Sequence, residues 1–212
     1  MKKIVYSFAA IGLLISCGGS SEENTTTTEQ KDTVSQEPAM TEESGVENSF
    51  VLESAKVGVF KIGEPLSTLP SELNSREATA TISENGENTE HLQHVVFNSL
   101  EDVVELVMEK NDAKADEDLV IQEMRVISNY YETNDGIKVG STVSQLLEKY
   151  PDAKLYYLGS RSEIIAETPA YTGVQFVINP VACTKKVSGK KDITLSKSSF
   201  NEDARIEYIR VY

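Results

Sequence analysis

Two hydrophobic patterns divide the chain from residue 51 onward. Short runs with apolar residues at about every second position, separated by turn-forming residues, predict β-strands at 91–98, 102–109, 120–128, 154–158, 163–167, 173–178 and 205–212. Residues 142–150 instead space their apolar side chains as a helix does, with Thr142 as a cap and Pro151 as a stop. These patterns predict one α+β domain over 50–212, with a mostly antiparallel sheet and short helices.

Three local predictions are less direct. The glutamate content of 101–110 also suits a helix, so a strand and a helix compete there. A strand is expected before Gly63, followed by a short helix from Pro65 to about Leu73. The alternating residues of 205–212 predict a half-buried terminal strand.

Two motifs occur twice, in the same order. Residues 61–69 and 138–146 both read Lys, β-branched, Gly, two variable, aliphatic, Ser, variable, Leu, and 121–126 resembles 206–211. Ordered repetition of this kind is typical of duplication. We therefore expect two similar halves, about 55–130 and 131–212, each containing a strand, a glycine turn and a short helix.

The N-terminus has the pattern of a secretory signal peptide, basic at Lys2 and Lys3 and apolar over 4–15. The apolar run is too short to span a bilayer. Its end, Leu14-Ile15-Ser16-Cys17, resembles the lipobox of bacterial lipoproteins. That resemblance implies removal of residues 1–16 and lipidation of Cys17, which would attach the mature chain to the membrane.

A polar, acidic segment follows over 17–49. It is rich in Ser, Thr, Glu and Gln, a composition that cannot bury enough apolar surface to fold, so we predict a disordered tether. Ser20-Ser21-Glu22-Glu23 resembles the acidic export signals of some Gram-negative lipoproteins. The two resemblances imply the outer membrane, at its periplasmic face or at the cell surface.

The net charge is −14, and residues 51–212 keep about −9 of it. A domain this acidic repels nucleic acid, which excludes nucleic acid as a partner. The one basic run, Lys185 to Lys191, is expected to be a solvated hairpin around Gly189.

Residues 134–150 resemble a family of envelope lipoproteins with no assigned activity. The likeness rests on the turn Asn134-Asp135-Gly136, the run Val139-Gly140-Ser141-Thr142, and an amphipathic helix ending at Tyr150. It implies an antiparallel sheet with small helices and implies no catalytic residues.

The chain offers little catalytic chemistry. His91 and His94 are weak metal candidates, since side chains three apart share a helix face but point to opposite sides of a strand. The acidic stretch 111–118 could bind calcium loosely or form a solvated turn. Cys183 is expected to be a buried thiol. No Gly-x-Ser-x-Gly elbow or phosphate-binding glycine loop occurs, and we expect no cofactor and no catalytic residue.

Two tyrosine pairs are the best candidates for binding, Tyr130-Tyr131 and Tyr156-Tyr157. On strands, one ring of each pair would point inward and one outward, and outward rings could contact a glycan or an envelope protein. The sequence thus favours a binding module on the cell envelope. The alternative is an envelope hydrolase or metal-binding protein that uses acidic residues or His91 and His94.

Overall fold

The computed structural model describes residues 51–98, 101–110 and 119–212. The predicted signal peptide, Cys17, the tether and the acidic stretch 111–118 lie outside the described residues, so their predictions remain as stated.

The described residues form two antiparallel sheets and one α-helix. The small sheet consists of β1 (Leu52–Glu53), β2 (Lys56–Val57) and β3 (Phe60–Lys61). The large sheet consists of β4 (Ser75–Glu84), β5 (Glu87–Phe97), β6 (Asp102–Lys110), β7 (Leu119–Val126), β8 (Lys154–Leu158), β9 (Glu163–Glu167), β10 (Val174–Ile178), β11 (Ile193–Leu195) and β12 (Ile206–Val211). Its order is β11-β8-β9-β10-β12-β7-β6-β5-β4. The prediction of a mostly antiparallel sheet is confirmed, while the helical part is smaller than expected.

Helix α1 (Val143–Lys149) begins where the sequence indicates. The Thr142 side chain accepts a hydrogen bond from the Gln145 N–H, and the Gln145 side chain accepts one from the Thr142 N–H. This capping box satisfies two backbone donors that a helix start leaves open. Three 3₁₀ turns lie at Leu66–Thr68, Pro180–Ala182 and Lys197–Ser199.

One local prediction near the first motif is corrected, and the strand predicted at 102–109 is confirmed over the competing helix. The helix expected from Pro65 to Leu73 is a single 3₁₀ turn without a side-chain cap. The rival helix at 101–110 is a strand, because Val104 and Leu106 are fully buried between β5 and β7. Strand β4 was not predicted, because most of its side chains are polar and exposed.

The terminal strand β12 is also more buried than expected. It lies at the middle of the sheet, between β10 and β7. Ile209, Arg210 and Val211 are each at most 1% exposed, so both of its faces are covered there. The half-buried prediction is wrong because alternation along a strand does not reveal its position in the sheet.

One face of the large sheet carries the main apolar core. Phe176, Ile209 and Leu106 pack there in one cluster with Leu146 of α1 and Phe60 of the small sheet. At about 25 cal/mol per Å² of apolar area removed from water, this continuous cluster is the chief stabilising feature of the fold.

The opposite face is concave. The Asn85 N–H in the β4–β5 turn donates to the Ser160 carbonyl in the β8–β9 turn at 2.7 Å. Because β4 and β8 lie near opposite ends of the strand order, the sheet must curl strongly for these turns to meet. We call this concave side the inner face; it buries Val107, Ile165 and several charged groups.

The two glycine motifs make the same backbone contacts. The Gly63 N–H donates to the Ile121 carbonyl at 2.8 Å, and the Gly140 N–H donates to the Ile206 carbonyl at 2.9 Å. Each isoleucine N–H donates back to the residue after the glycine, at 3.0 and 2.9 Å respectively. The glycines have φ of +81° and +87°, a conformation that other residues rarely adopt.

Candidate functional site

Buried charges cross the centre of the inner face. Arg125 of β7 lies directly opposite Arg210 of β12, an arrangement that repels unless it is compensated. Glu123 supplies the compensation and is only 3% exposed. Its Oε1 accepts a hydrogen bond from Arg125 Nε at 2.7 Å and lies 3.5 Å from Arg210 Nε. Its Oε2 accepts from Arg161 Nη1 at 2.7 Å.

The ionisation of Glu123 is set by these partners. Burial opposes the charged form, but Arg210, Arg125 and Arg161 outweigh it and lower the pKa of the carboxyl below its ordinary value. Glu123 is therefore an anion at neutral pH and holds three cations together.

Arg210 extends the network towards the second half of the sheet. Its guanidinium donates to Gln175 Oε1 at 2.6 Å and to the Tyr208 hydroxyl at 2.8 Å, and it pairs with Glu163. Burial disfavours the arginine charge, yet Tyr208 and Glu163 raise the pKa of Arg210 above its ordinary value. Burial likewise raises the pKa of Tyr208 to about 12. Both Nη atoms of Arg210 donate to neighbouring side chains, so this part of the face is held together by its own contacts.

The network ends at a more accessible group of side chains, which we call the tyrosine cluster: Tyr156, Tyr212, Glu167 and Gln175. Gln175 Nε2 donates to Glu167 Oε1 at 2.7 Å and to the Tyr212 hydroxyl at 3.3 Å. Burial raises the pKa of the Tyr156 and Tyr212 phenols, and the negative charge of Glu167 raises both further. Tyr212 remains 50% exposed, so its ring is available to a ligand.

Three depressions surround the tyrosine cluster. One of about 350 Å³ has Tyr212 on one wall and His91, Arg161 and Glu84 on the others. A second, of about 320 Å³, lies between Tyr212, Glu167 and Lys154. The third, of about 510 Å³, includes Tyr156. Shallow depressions lined by aromatic rings and charged groups suit a polar, extended ligand better than a small apolar one.

The predicted tyrosine pairs are only partly brought to this site. Tyr156 belongs to it, but Tyr157 points into the core and donates to the Gly189 carbonyl at 3.2 Å. Tyr130 and Tyr131 follow β7 in a turn rather than lying on a strand. Tyr131 is buried, and burial raises its pKa, while Tyr130 is 39% exposed. Each pair thus has one buried ring, as expected, but the accessible partner of Tyr156 is Tyr212.

The two histidines lie on one strand, β5, and face opposite sides. His94 is opposite Leu106 on the core face and is buried, whereas His91 lines the 350 Å³ depression. Among the described residues, no group of three or more His, Cys, Asp or Glu side chains is placed to hold a metal ion.

Cys183 and the basic run complete the predicted candidates. Cys183 is half-buried rather than buried, and its thiol donates to the Lys185 carbonyl at 3.3 Å. Lys185, Lys186, Lys190 and Lys191 are all exposed, and Gly189 between them has a positive φ.

Sequence reasoning did not select Glu123, Glu167, Arg161, Gln175 or Tyr212. Their partners are distant in sequence and become neighbours only through the sheet order. One usable signal was the repeated motif, which places Arg125 and Arg210 at equivalent positions.

Comparison with known proteins identifies no relative by sequence: no family model matches the chain, and no curated protein matches it. A search of solved structures finds similarity to the uncharacterized protein yfeY from Escherichia coli. The two are 12% identical with a TM-score of 0.45, and the match covers 76% of this chain and 97% of that one. In the described part of the chain, no helix has the length and hydrophobicity to cross a membrane.

Proposed function

We propose that the chain is a bacterial lipoprotein, anchored to the outer membrane through Cys17, and that its folded part binds an envelope glycan at the tyrosine cluster. The anchor is supported by the basic N-terminus, the short apolar run and the lipobox-like Leu14-Ile15-Ser16-Cys17. Several acyl chains on one residue hold a protein stably at a bilayer, because each buried CH₂ contributes about 0.8 kcal/mol.

The anchor is tested by replacement of Cys17. The full chain should incorporate labelled palmitate and fractionate with membranes, whereas Cys17→Ala should lose the label. Cys183→Ala is the matched control, since it removes the other cysteine and should leave both properties unchanged. A labelled Cys17→Ala variant would refute lipidation at this residue.

Binding at the tyrosine cluster is supported chiefly by one observation: a half-exposed tyrosine ring stands beside a fixed carboxylate. Tyr212 offers an apolar surface, while Glu167 and Lys154 line the adjoining depression with hydrogen-bonding groups. Sugars present both C–H surfaces and hydroxyls, so they match such a combination. Glu167 is oriented by Gln175, which Arg210 holds in turn, so the cluster is pre-organised.

Binding is tested by co-sedimentation of the full chain, solubilised in detergent, with purified peptidoglycan. Tyr212→Ala should weaken binding at least about tenfold, the equivalent of 1.4 kcal/mol. Tyr130→Ala, which removes another exposed ring outside the cluster, should bind as the unaltered chain does. Equal binding by all three, or no binding by any, would contradict the glycan proposal; capture of a protein instead would favour a protein partner.

We further infer that residues 51–212 arose by internal duplication. The repeated motifs make matching backbone contacts, Gly63 with Ile121 and Gly140 with Ile206. The bridge between Pro65 and Val120 also has its counterpart in the bridge between Thr142 and Arg205, at the same motif positions. In the sheet order, β7, β6, β5 and β4 on one side mirror β12, β10, β9 and β8 on the other.

Duplication predicts that the chain can be divided between its halves. When 1–133 and 134–212 are expressed together, they should associate into one complex with the thermal transition of a folded domain, because β7 and β12 pair along the division. The control is a break within the second half, giving fragments 1–158 and 159–212, which should associate less well. Failure of the first pair with success of the second would contradict two separable halves.

A further inference from the structure

The outer edge of β4 is the longest unpaired edge among the described strands. The strand runs for ten residues and pairs with β5 only, and no strand in the described ranges lies on its other side. Its counterpart in the second half, β8, has its outer edge covered by β11. Proteins normally protect long edges, because unpaired N–H and C=O groups recruit another strand.

The hydrogen-bond pattern identifies which backbone groups are open. The Phe97 N–H donates to the Asn74 carbonyl at 3.0 Å, and the register continues from there without a break to Glu84 opposite Glu87. Since antiparallel pairs alternate, even-numbered residues of β4 bond to β5. Glu77, Thr79, Thr81 and Ser83 therefore direct their N–H and C=O groups away from the sheet.

The strand has few of the usual defences against pairing. Residues 78–83 read Ala-Thr-Ala-Thr-Ile-Ser, with no charge, proline or glycine, and β4 contains no bulge against β5. Threonine and isoleucine favour extended backbone. The charges lie only at the ends, with Arg76 and Glu77 at one and Glu84 at the other.

We propose that this edge pairs with β4 of a second copy of the chain, antiparallel, with Ala80 of one copy opposite Ala80 of the other. This register is selected by charge. It sets Arg76 of each copy opposite Glu84 of the other, Thr79 opposite Thr81, and Glu77 opposite Ser83. Shifting by two residues either way leaves Arg76 and Glu84 opposite uncharged side chains. Shifting by four brings two glutamates opposite each other, Glu84 and Glu72 in one direction or Glu77 and Glu87 in the other.

The charged ends extend interactions already present within each copy. Arg76 pairs with Asp102 at 2.5 Å, and Glu84 pairs with Arg161 at 2.7 Å. In the paired copies, Asp102 and Arg76 of one copy would adjoin Glu84 and Arg161 of the other. The four side chains alternate in charge, and the same row occurs at each end of the joined strands. Networks of alternating charges stabilise more than isolated surface pairs do. The joined strands would continue one sheet across both copies, and Glu84 at the end of the interface also lines the 350 Å³ depression beside Tyr212.

Disulfide trapping tests the register directly. In this pairing the even residues form non-hydrogen-bonded pairs, with Cα atoms about 4.5 Å apart, within the range a disulfide bridges. The full chain carrying Cys17→Ser and Cys183→Ser has no other thiol. In that background, Ala80→Cys should form a disulfide-linked dimer on mild oxidation in detergent solution.

Ala78→Cys is the matched control on the same face of the same strand. Its partner would be Ile82, and two copies of residue 78 would lie about 13 Å apart, too far for a bond. Ala78→Cys should remain monomeric, whereas Ala78→Cys with Ile82→Cys should cross-link. Absence of a dimer with Ala80→Cys, or equal dimers with both single variants, would overturn the proposal.

A proline provides an independent measurement. Thr79→Pro removes an N–H that points away from β5, so the β4–β5 pairing and the thermal transition should be preserved. Sedimentation should then show loss of the dimer. A dimer that persists in the folded Thr79→Pro variant would place the contact elsewhere.

Discussion

The two halves of the domain share one set of backbone hydrogen bonds but differ in the helix that follows it. Both contain a glycine with positive φ that exchanges hydrogen bonds with an isoleucine of the closing strand. After Gly140, Thr142 caps a helix of seven residues; after Gly63, Pro65 leads into one 3₁₀ turn. The comparison teaches that the strand-turn contact is the shared element, while the length of the following helix depends on whether a side chain caps its start.

The halves also differ in how deeply equivalent side chains are buried. Leu146 and Leu69 occupy equivalent motif positions, but Leu146 is fully buried and Leu69 is only partly so. Arg210 is buried among polar partners, whereas its counterpart Arg125 keeps 18% of its side chain exposed. The second half should therefore be the more sensitive to substitution.

The largest difference in stability between equivalent substitutions is expected at the two facing arginines. Arg210→Met should lower the free energy of unfolding by about 3–5 kcal/mol, because Glu163 and Glu123 lose a buried partner. Arg125→Met should cost less, about 1–2 kcal/mol, because Glu123 keeps Arg161 and Arg210 as partners and the repulsion between the facing arginines is removed. Denaturant unfolding of both variants measures this, and equal losses would contradict the asymmetry.

Truncation of the equivalent leucines should give the second-largest difference in stability between the two halves. Leu146→Ala deletes a fully buried side chain and should cost about 3 kcal/mol through lost burial and the cavity left behind. Leu69→Ala should cost about 1 kcal/mol, because that side chain is already partly solvated. Thermal unfolding distinguishes the two, and a larger loss at Leu69 would mean that the first turn carries more of the core than its burial indicates.

Acid should weaken the centre of the inner face. Burial disfavours the Glu123 anion, but Arg210 and its neighbours hold the folded pKa below the ordinary 4.5. A lowered folded pKa contributes stability above the unfolded value, and this contribution is lost as pH falls through the folded pKa. The stability gap between the unaltered chain and Glu123→Gln should be constant near neutrality and shrink below about pH 4.5. A stability difference that grows in acid would mean that folding raises the pKa of Glu123 rather than lowering it.

The glycines should show the smallest effect, and the most equal. Gly63→Ala and Gly140→Ala each force a side chain into positive φ, at about 1 kcal/mol, although no atom lies within 4 Å of either added Cβ. Similar losses would support equivalent roles in the two halves. A loss confined to one of them would weaken the duplication argument, because backbone strain should be the same at both sites.

Much of the sheet could be predicted because its central strands alternate or run apolar between turn signals. Strand β4 was missed because most of its side chains are polar and exposed, although Asn85-Gly86, which links it to β5 at positive φ, is a strong hairpin signal. The cap at Thr142 was found because capping depends on residues close in sequence. The first helix was overestimated because Pro65 starts a turn without supplying a side-chain cap.

The candidate site was less accessible to sequence reasoning. Tyr156 was selected, but its partners Glu167 and Tyr212 come from β9 and from the residue after β12. Because adjacent residues on a strand point to opposite faces, each tyrosine pair was expected to supply only one ring to a surface, and the second ring had to come from elsewhere in the chain. The strand order brings Tyr156 and Tyr212 together, and that order cannot be inferred from the local pattern of apolar and polar residues.

The central claim is that the tyrosine cluster, held by the inner-face network, recognises an envelope glycan. The most direct measurement is the co-sedimentation of the full chain with peptidoglycan, compared between Tyr212→Ala and Tyr130→Ala. We predict that Tyr212→Ala loses binding by about tenfold or more while Tyr130→Ala retains it, with both variants folded. Retained binding by Tyr212→Ala, or equal loss in both variants, would contradict the account.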